Sequence, residues 1–313
     1  MDSLPTLRYR LNEDHEETSV SLQRCRDGPY RRMTYTTITY AVADAIATIT
    51  LNRPEARNGF TAEMADELGA AFVAADADDE VRVVVLAATG KYFCVGMDLA
   101  EGADEDMDAP EWVEWATRVA RPMTNLNKPV IVALQGPAVG VGITMTLPAD
   151  FRLAADDARF GFVFGRRGLV PEAGSLWYLP QLVGLAKAKE WMLTGRLIDA
   201  EEALAAGLVT SLHPAEQLSD AVYALASELA TEIAPASAAV IRRGLTAMTA
   251  YGSPEAAFAF DRKSIPHALR STDLVEGITA FLTKRPAEFT GVARTDVPEL
   301  SDWLDPRNQP PGR

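Results

Sequence analysis

Lys128-Pro129-Val130-Ile131-Val132-Ala133-Leu134-Gln135-Gly136-Pro137-Ala138-Val139-Gly140-Val141-Gly142 is the stretch on which the fold turns. From Pro129 to Ala149 no residue is charged, and those 21 residues equal the length of a membrane span. Gln135-Gly136-Pro137, Gly140 and Gly142 interrupt the run, and Asp150 and Arg152 follow it at once. Gly and Pro at that density break a spanning helix. The stretch therefore reads as a buried strand over Pro129–Leu134, a tight turn, and a buried helix over Val139–Leu147.

The neighbouring sequence repeats the pattern. Val83–Ala88 is a second unbroken apolar run of strand length, as expected in a parallel sheet covered on both faces. Thr34–Tyr40 and Ala45–Leu51 read as a hairpin around Val42-Ala43-Asp44. Thr61 is placed to cap a helix bearing Met64, Leu68, Phe72 and Ala75 at helical spacing. A further helix is expected through Trp112, Trp115 and Val119, and short strands around Arg152–Ala154 and Arg159–Phe162. From Glu172 to about Leu282 the pattern is mostly helical, over 214–233, 235–251, 254–267 and 271–282. Strands alternating with helices, then helices alone, give an α/β core with a helical C-terminal region. Residues 1–32 are polar and aperiodic and read as a flexible extension, and residues 290–313, with four prolines, as a loose tail.

Composition narrows the function. The chain has 313 residues, 48% hydrophobic and 24% charged, with a net charge of −14. Residues 1–32 hold six arginines and six acids, so the whole imbalance lies in 33–313. Such a body repels phosphate backbones and anionic lipid, which argues against nucleic-acid and membrane partners. Cys25 and Cys94 make no disulfide framework, and with no apolar N-terminal signal the expected location is the cytoplasm. His15, His213 and His267 lie far apart without metal spacing, so neither a metal centre nor a Ser-His-Asp triad is expected.

Three loops follow buried strands: Leu51 to Phe60, Gly90 to Leu99 and Gln135 to Gly142. In open α/β sheets ligands bind beyond the carboxyl ends of strands, so these loops are expected to share a crevice. Backbone N–H groups at the head of a helix suit a developing negative oxygen, although plain turn chemistry accounts for any one of these loops alone. The G-x-G-x-x-G order of a dinucleotide site is absent.

Together the loops resemble the enoyl-CoA hydratase/isomerase (crotonase) family. Asn52-Arg53-Pro54-Glu55-Ala56-Arg57-Asn58 resembles its first signature, and Phe93-Cys94-Val95-Gly96-Met97-Asp98-Leu99 its F-x-x-G-x-D-L signature. Lys128–Gly136 resembles its buried strand and turn. Ala203-Leu204-Ala205-Ala206-Gly207-Leu208-Val209 is similar to its helix-to-strand step, and Phe281-Leu282-Thr283-Lys284-Arg285-Pro286 to its C-terminal motif. The resemblance runs from about Thr34 to Phe289. It implies a spiral of ββα units with a C-terminal helical trimerisation region. The acyl-CoA-binding core would then span 33–230 and the oligomerisation helices 231–289, in a homotrimer or hexamer. It also implies a coenzyme A thioester as substrate with no tightly bound cofactor. The N–H groups of Met97 and Val141 match the two oxyanion-hole positions, where losing one donor typically costs about 3–4 kcal/mol. Ala56, Arg57, Gly96, Asp98 and Leu99 match walls around the adenine and pantetheine, with helix capping the other reading of Asp98. Cys94, Val95 and Gly140 belong to the same loops, and Lys284 is placed to meet a coenzyme A phosphate.

The chain departs from the hydratase pattern at the two glutamates that activate water. Thr144 stands at the first position and Phe164 at the second. Glu172, in Pro171-Glu172-Ala173-Gly174-Ser175, resembles the Pro-Glu-x-x-Ser pattern of some enoyl-CoA isomerases of the family. A Δ3-to-Δ2 shift needs one base to take an α-proton and return it at the γ-carbon. Such a base works best with a pKa lifted toward neutrality. Phe162, Phe164, Trp177 and Leu179 are the expected apolar wall that lifts it. Stabilising the following helix is the other reading of Glu172. The expectation is therefore an isomerase using Glu172. An enoyl-CoA hydratase of acyl-CoA catabolism and a non-catalytic acyl-CoA-binding subunit are the alternatives. Cys94 has no base beside it and reads as packing rather than a nucleophile.

Overall fold

The computed structural model describes residues 35–98, 105–251, 253–298, 300 and 303. Residues 1–32, read as an extension, and Leu99 lie outside them. The chain opens with β1 (Ile38–Ala43) and β2 (Ile46–Leu51), paired antiparallel across Ala43 and Ile46. The turn falls at Asp44-Ala45, both at positive φ (51° and 61°), later than the expected Val42-Ala43-Asp44. Two left-handed residues make the hairpin turn whose twist matches the strands, and Asp tolerates that conformation.

Helix α1 (Ala62–Ala77) follows, with Thr61 Oγ1 accepting from Met64 N–H at 3.1 Å and Met64, Leu68, Phe72 and Ala75 buried. Next come β3 (Val83–Ala88), α2 (Trp115–Asn125) and β4 (Val130–Leu134). The carboxylate of Glu114 caps α2 through Ala116 and Thr117 N–H, so Trp112 stays outside the helix expected to include it. Trp112 and Trp115 instead both donate their indole N–H to Glu105 Oε2, at 2.8 and 2.9 Å.

The deciding stretch becomes β4, a two-residue strand β5 (Ala138–Val139) and a four-residue helix α3 (Val141–Thr144), all in the core. The helix ends in turns before Leu147, because Pro148 disfavours helical backbone in the residue before it. Buried Arg152 collects the carbonyls of Thr146, Leu147 and Ala149.

β6 (Phe151–Ala155), β7 (Arg159–Gly161), α4 (Ser175–Val183), α5 (Leu185–Thr194), β8 (Leu197–Asp199), α6 (Ala200–Ala206) and β9 (Ser211–His213) complete the core. The main sheet runs β1-β2-β3-β4-β6-β9 and is parallel from β2 onward; β5, β7 and β8 form a second, small sheet. The patterning missed β8 and β9, three-residue strands set among helices α5 to α7 in the stretch that reads as mostly helical. Helices α7 (Leu218–Glu232), α8 (Pro235–Met248), α9 (Glu255–Ala268) and α10 (Thr272–Thr283) fall within a few residues of the four expected segments.

The tail is not loose where it is described. A one-turn helix α11 (Ala293–Asp296) follows α10, Arg294 pairs with Asp79, Leu300 is buried, and Trp303 lies edge-on to Phe260 and His267. Pro298, between α11 and Leu300, does not prevent these contacts. Among the described residues no single helix is long and apolar enough to cross a membrane.

Candidate active site

Two amides stitch the three loops together. Asn58 is buried at φ 52°; its Oδ1 accepts from Arg53 N–H, and its Nδ2 donates to the carbonyls of Thr89 and Tyr92, each at 2.9 Å. Gln135 Nε2 donates to Ala88 O at 2.9 Å and lies 3.3 Å from Gly90 O and Tyr92 O. Backbone bridges complete the assembly. Phe60 N–H donates to Gly96 O and Asp98 N–H to Phe60 O, while Val139 N–H donates to Cys94 O. Asn-Gly at 58–59 was the available signal for Asn58, because Asn and Gly together mark left-handed turns.

Gly140 and Gly142 allow the second and third loops to meet. Gly140 sits at φ 58°, ψ −127°, a conformation side chains resist, and a Cβ there would stand 3.9 Å from Gly96 Cα. A Cβ on Gly142 would collide with the carbonyl of Cys94. Immediately beyond this contact come Met97, half-exposed, and Val141, the first residue of α3. Among the described residues neither N–H donates to a protein acceptor, whereas Asp98 and Gly140 on either side do. A helix's first N–H groups have no intrahelical partner. Two unspent donors thus stand beside one point of loop contact, which suits a developing oxyanion.

Glu172 lies beside the same short helix. Thr144, on the last residue of α3, donates Oγ1–H to Glu172 Oε1 at 2.5 Å. Glu172 Oε2 is buried without a partner among the described residues, as is the hydroxyl of Ser175. Burial is the main cause that pushes the Glu172 carboxyl up to about 7. The charge of Glu114 adds to it, and the Thr144 hydrogen bond opposes it. The cap of α4 is Gly174, with no side-chain hydrogen bond, so Glu172 is not the capping side chain of that helix.

The remaining expected residues divide. Asp98 pairs with Arg53 at 3.1 Å, clasping the second loop to the first. Arg57 is exposed with its guanidinium 5.5 Å over the Tyr92 ring, and Ala56 and Val95 are half-buried. Cys94 is completely buried beneath Gly142, its thiol pushed up to about 12 by burial, so its side chain is not on the expected wall. Phe164 and Leu179 are buried, and Phe162 stacks on Trp191 with ring centres 6.1 Å apart. Trp177 is 45% exposed on α4. Lys284 is exposed at the left-handed C-cap of α10, and no described contact joins it to the loops.

Sequence reasoning missed Arg242. From α8 it donates to the carbonyls of Met123, Thr124, Leu126 and Pro148 and pairs with Asp150 at 2.6 Å. Thr124 in turn shares a 2.7 Å hydrogen bond with Tyr178 of α4. The end of α2, the segment after α3 and the helix that follows Glu172 are thereby tied together.

Comparison with known proteins agrees with the arrangement. The enoyl-CoA hydratase/isomerase family matches residues 41–292. An enoyl-CoA hydratase of Alternaria alternata is 36% identical over 249 residues, covering 79% of this chain and 83% of that protein. The 1,2-epoxyphenylacetyl-CoA isomerase of Escherichia coli is 34% identical over 255 residues, covering 80% and 97%. The crystal structure of a probable enoyl-CoA hydratase/isomerase from Mycobacterium abscessus superposes with a TM-score of 0.75 at 34% identity, covering 82% of this chain and 99% of that one. A chain with these loops, this sheet and these helices belongs to the enoyl-CoA hydratase/isomerase family.

Proposed function

We propose that this enzyme shifts a double bond in an enoyl-CoA from Δ3 to Δ2, with Glu172 carrying the proton. The observation that carries the reading is a carboxyl group poised near neutrality and hydrogen-bonded to Thr144, the last residue of the helix whose first N–H is unspent. The thioester oxygen docks on the N–H groups of Met97 and Val141. Glu172 takes the α-proton, the thioester holds the electron pair as an enolate, and the same carboxyl returns the proton at the γ-carbon. One base suffices, and its free oxygen is Oε2. Ala56, Arg57, Val95, Gly96 and Gly140 line the coenzyme's path in this reading, with Trp177 beside the base. The working assembly is a homotrimer or hexamer in the cytoplasm. Its support is the row of exposed apolar side chains on α8 to α10, among them Ile241, Leu245, Phe258, Ile265 and Phe281.

A 3-enoyl-CoA and, separately, a 2-enoyl-CoA, followed by absorbance of the conjugated thioester, test the reading. A rise with the first is expected. A protein that leaves the 3-enoyl thioester untouched is not this isomerase. Hydration is the second reading, favoured by the Alternaria relative, whose name is that of an enoyl-CoA hydratase.

A further inference from the structure

Helix α4, which follows Glu172, is poorly secured by its own sequence. It has nine residues, its cap Gly174 offers no side chain to the first turn, and Pro180 lies inside it. Short helices are marginal alone, a missing cap leaves the first N–H groups unserved, and a proline removes one internal hydrogen bond. Glu172 is coupled to the head of this helix, because Ser175 N–H donates to Glu172 O at 2.9 Å. Whatever fixes that head also fixes Glu172.

Among the described residues α4 makes one side-chain hydrogen bond, between Tyr178 and Thr124 of α2 at 2.7 Å. Thr124 Oγ1 gives its own proton to Ala120 O, also at 2.7 Å, so the phenol is the donor. Burial pushes the phenol above its ordinary value, so it keeps that proton at neutral pH. The Tyr178 ring lies along Gly174, 3.4 Å from where a Cβ would stand.

The anchor on α2 is itself held firmly. Buried Arg242 takes the carbonyls of Met123, Thr124 and Leu126 at the end of α2, and reaches Pro148 O and Asp150 beyond α3. Asp150 Oδ2 also accepts from Val130 N–H, at the start of β4, at 2.7 Å. These contacts close a ring. Glu172 meets Thr144 on α3, Arg242 joins the segment after α3 to α2, and Tyr178 joins α2 to α4. The Glu172–Thr144 contact therefore depends on the link at the far side of the ring. For a reacting group, a misplacement of about 1 Å can cost about 100-fold in rate.

We propose that Tyr178 is a positioning residue: its hydroxyl, anchored on Thr124, holds the head of α4 so that Glu172 stays against Thr144. The inference rests on Glu172 being the base of the preceding reading. In this role the Tyr178 hydroxyl moves no proton during turnover. Phenylalanine at this position keeps the ring against Gly174 and releases only the tie to α2.

The test uses the full chain and a 3-enoyl-CoA, followed by absorbance of the conjugated thioester. Tyr178→Phe should lower kcat by about tenfold or more while KM stays within about threefold, which also shows that the variant folds and binds. Thr124→Val should do the same, and the double variant should be no slower than the slower single one, since both remove one bond. Thr124→Ser keeps a hydroxyl and should hold kcat within about threefold of the wild type. The role is overturned if Tyr178→Phe turns over like the wild type, if KM rises in step with the fall in kcat, or if the two single losses multiply in the double variant. Glu172→Gln as active as the wild type would instead remove the reading beneath it.

Discussion

In the proposed mechanism Glu172 is where folding and chemistry oppose each other most directly. Its carboxyl moves from 4.5 in the unfolded chain to about 7 in the fold, chiefly through burial. Below pH 4.5 both states hold the proton and nothing is lost. As the pH rises, the unfolded chain releases it first, and stability falls by about 1.4 kcal/mol per pH unit, reaching about 3 kcal/mol above pH 7. Glu172→Gln, neutral at every pH, should therefore match the wild type near pH 4 and exceed it by up to about 3 kcal/mol at pH 8 in denaturant titrations, while turning over no substrate. Thr144→Val removes the hydrogen bond that restrains the upward shift. The acid limb of its pH–rate profile should move to higher pH, leaving less activity at neutrality; an unmoved limb would show that Thr144 does not set the base. Glu172 itself was legible from its neighbours Pro171 and Ser175. Its partner was not, since Thr144 reads only as a missing glutamate until the fold brings the two side chains together.

At the scale of elements, the loops hold their shape through buried amides rather than through apolar contact. Asn58→Ala strips partners from Arg53 N–H and from the carbonyls of Thr89 and Tyr92, and puts alanine at φ 52°. Unpaired buried backbone groups cost about 1–3 kcal/mol each. The variant should lose about 3 kcal/mol or more in urea unfolding, and its affinity for coenzyme A thioesters should fall with the disordered loops. The strands and helices behind these loops were readable wherever the apolar run or helical period lasted six residues or more, as in β3, β4, α1 and α7 to α10. Two things were not readable. β8 and β9 are short strands inside a stretch whose pattern is otherwise helical, and α3 stops early because of Pro148 and the arginine that gathers the carbonyls beyond it.

At the scale of the whole molecule, α8 shows two characters on adjacent residues. Arg242 is buried and holds the end of α2 and the segment after α3, while Ile241 and Leu245 face outward. The outward row continues with Val275, Ile278 and Phe281, the last 83% exposed. If the proposed trimer or hexamer forms through this row, Phe281→Asp should shift the chain to a smaller species in sedimentation without changing its circular dichroism; an unchanged sedimentation coefficient would count against that assembly. The core carries a built-in reporter of how often this molecule opens. The Cys94 thiol is wholly enclosed under Gly142 and holds its proton to about pH 12, so an alkylating reagent reaches it only when the second and third loops part. In a chain with Cys25 replaced by serine, the rate of alkylation would be a clock for that parting. A bound acyl thioester, gripping both loops at once, should slow the clock in proportion to its occupancy.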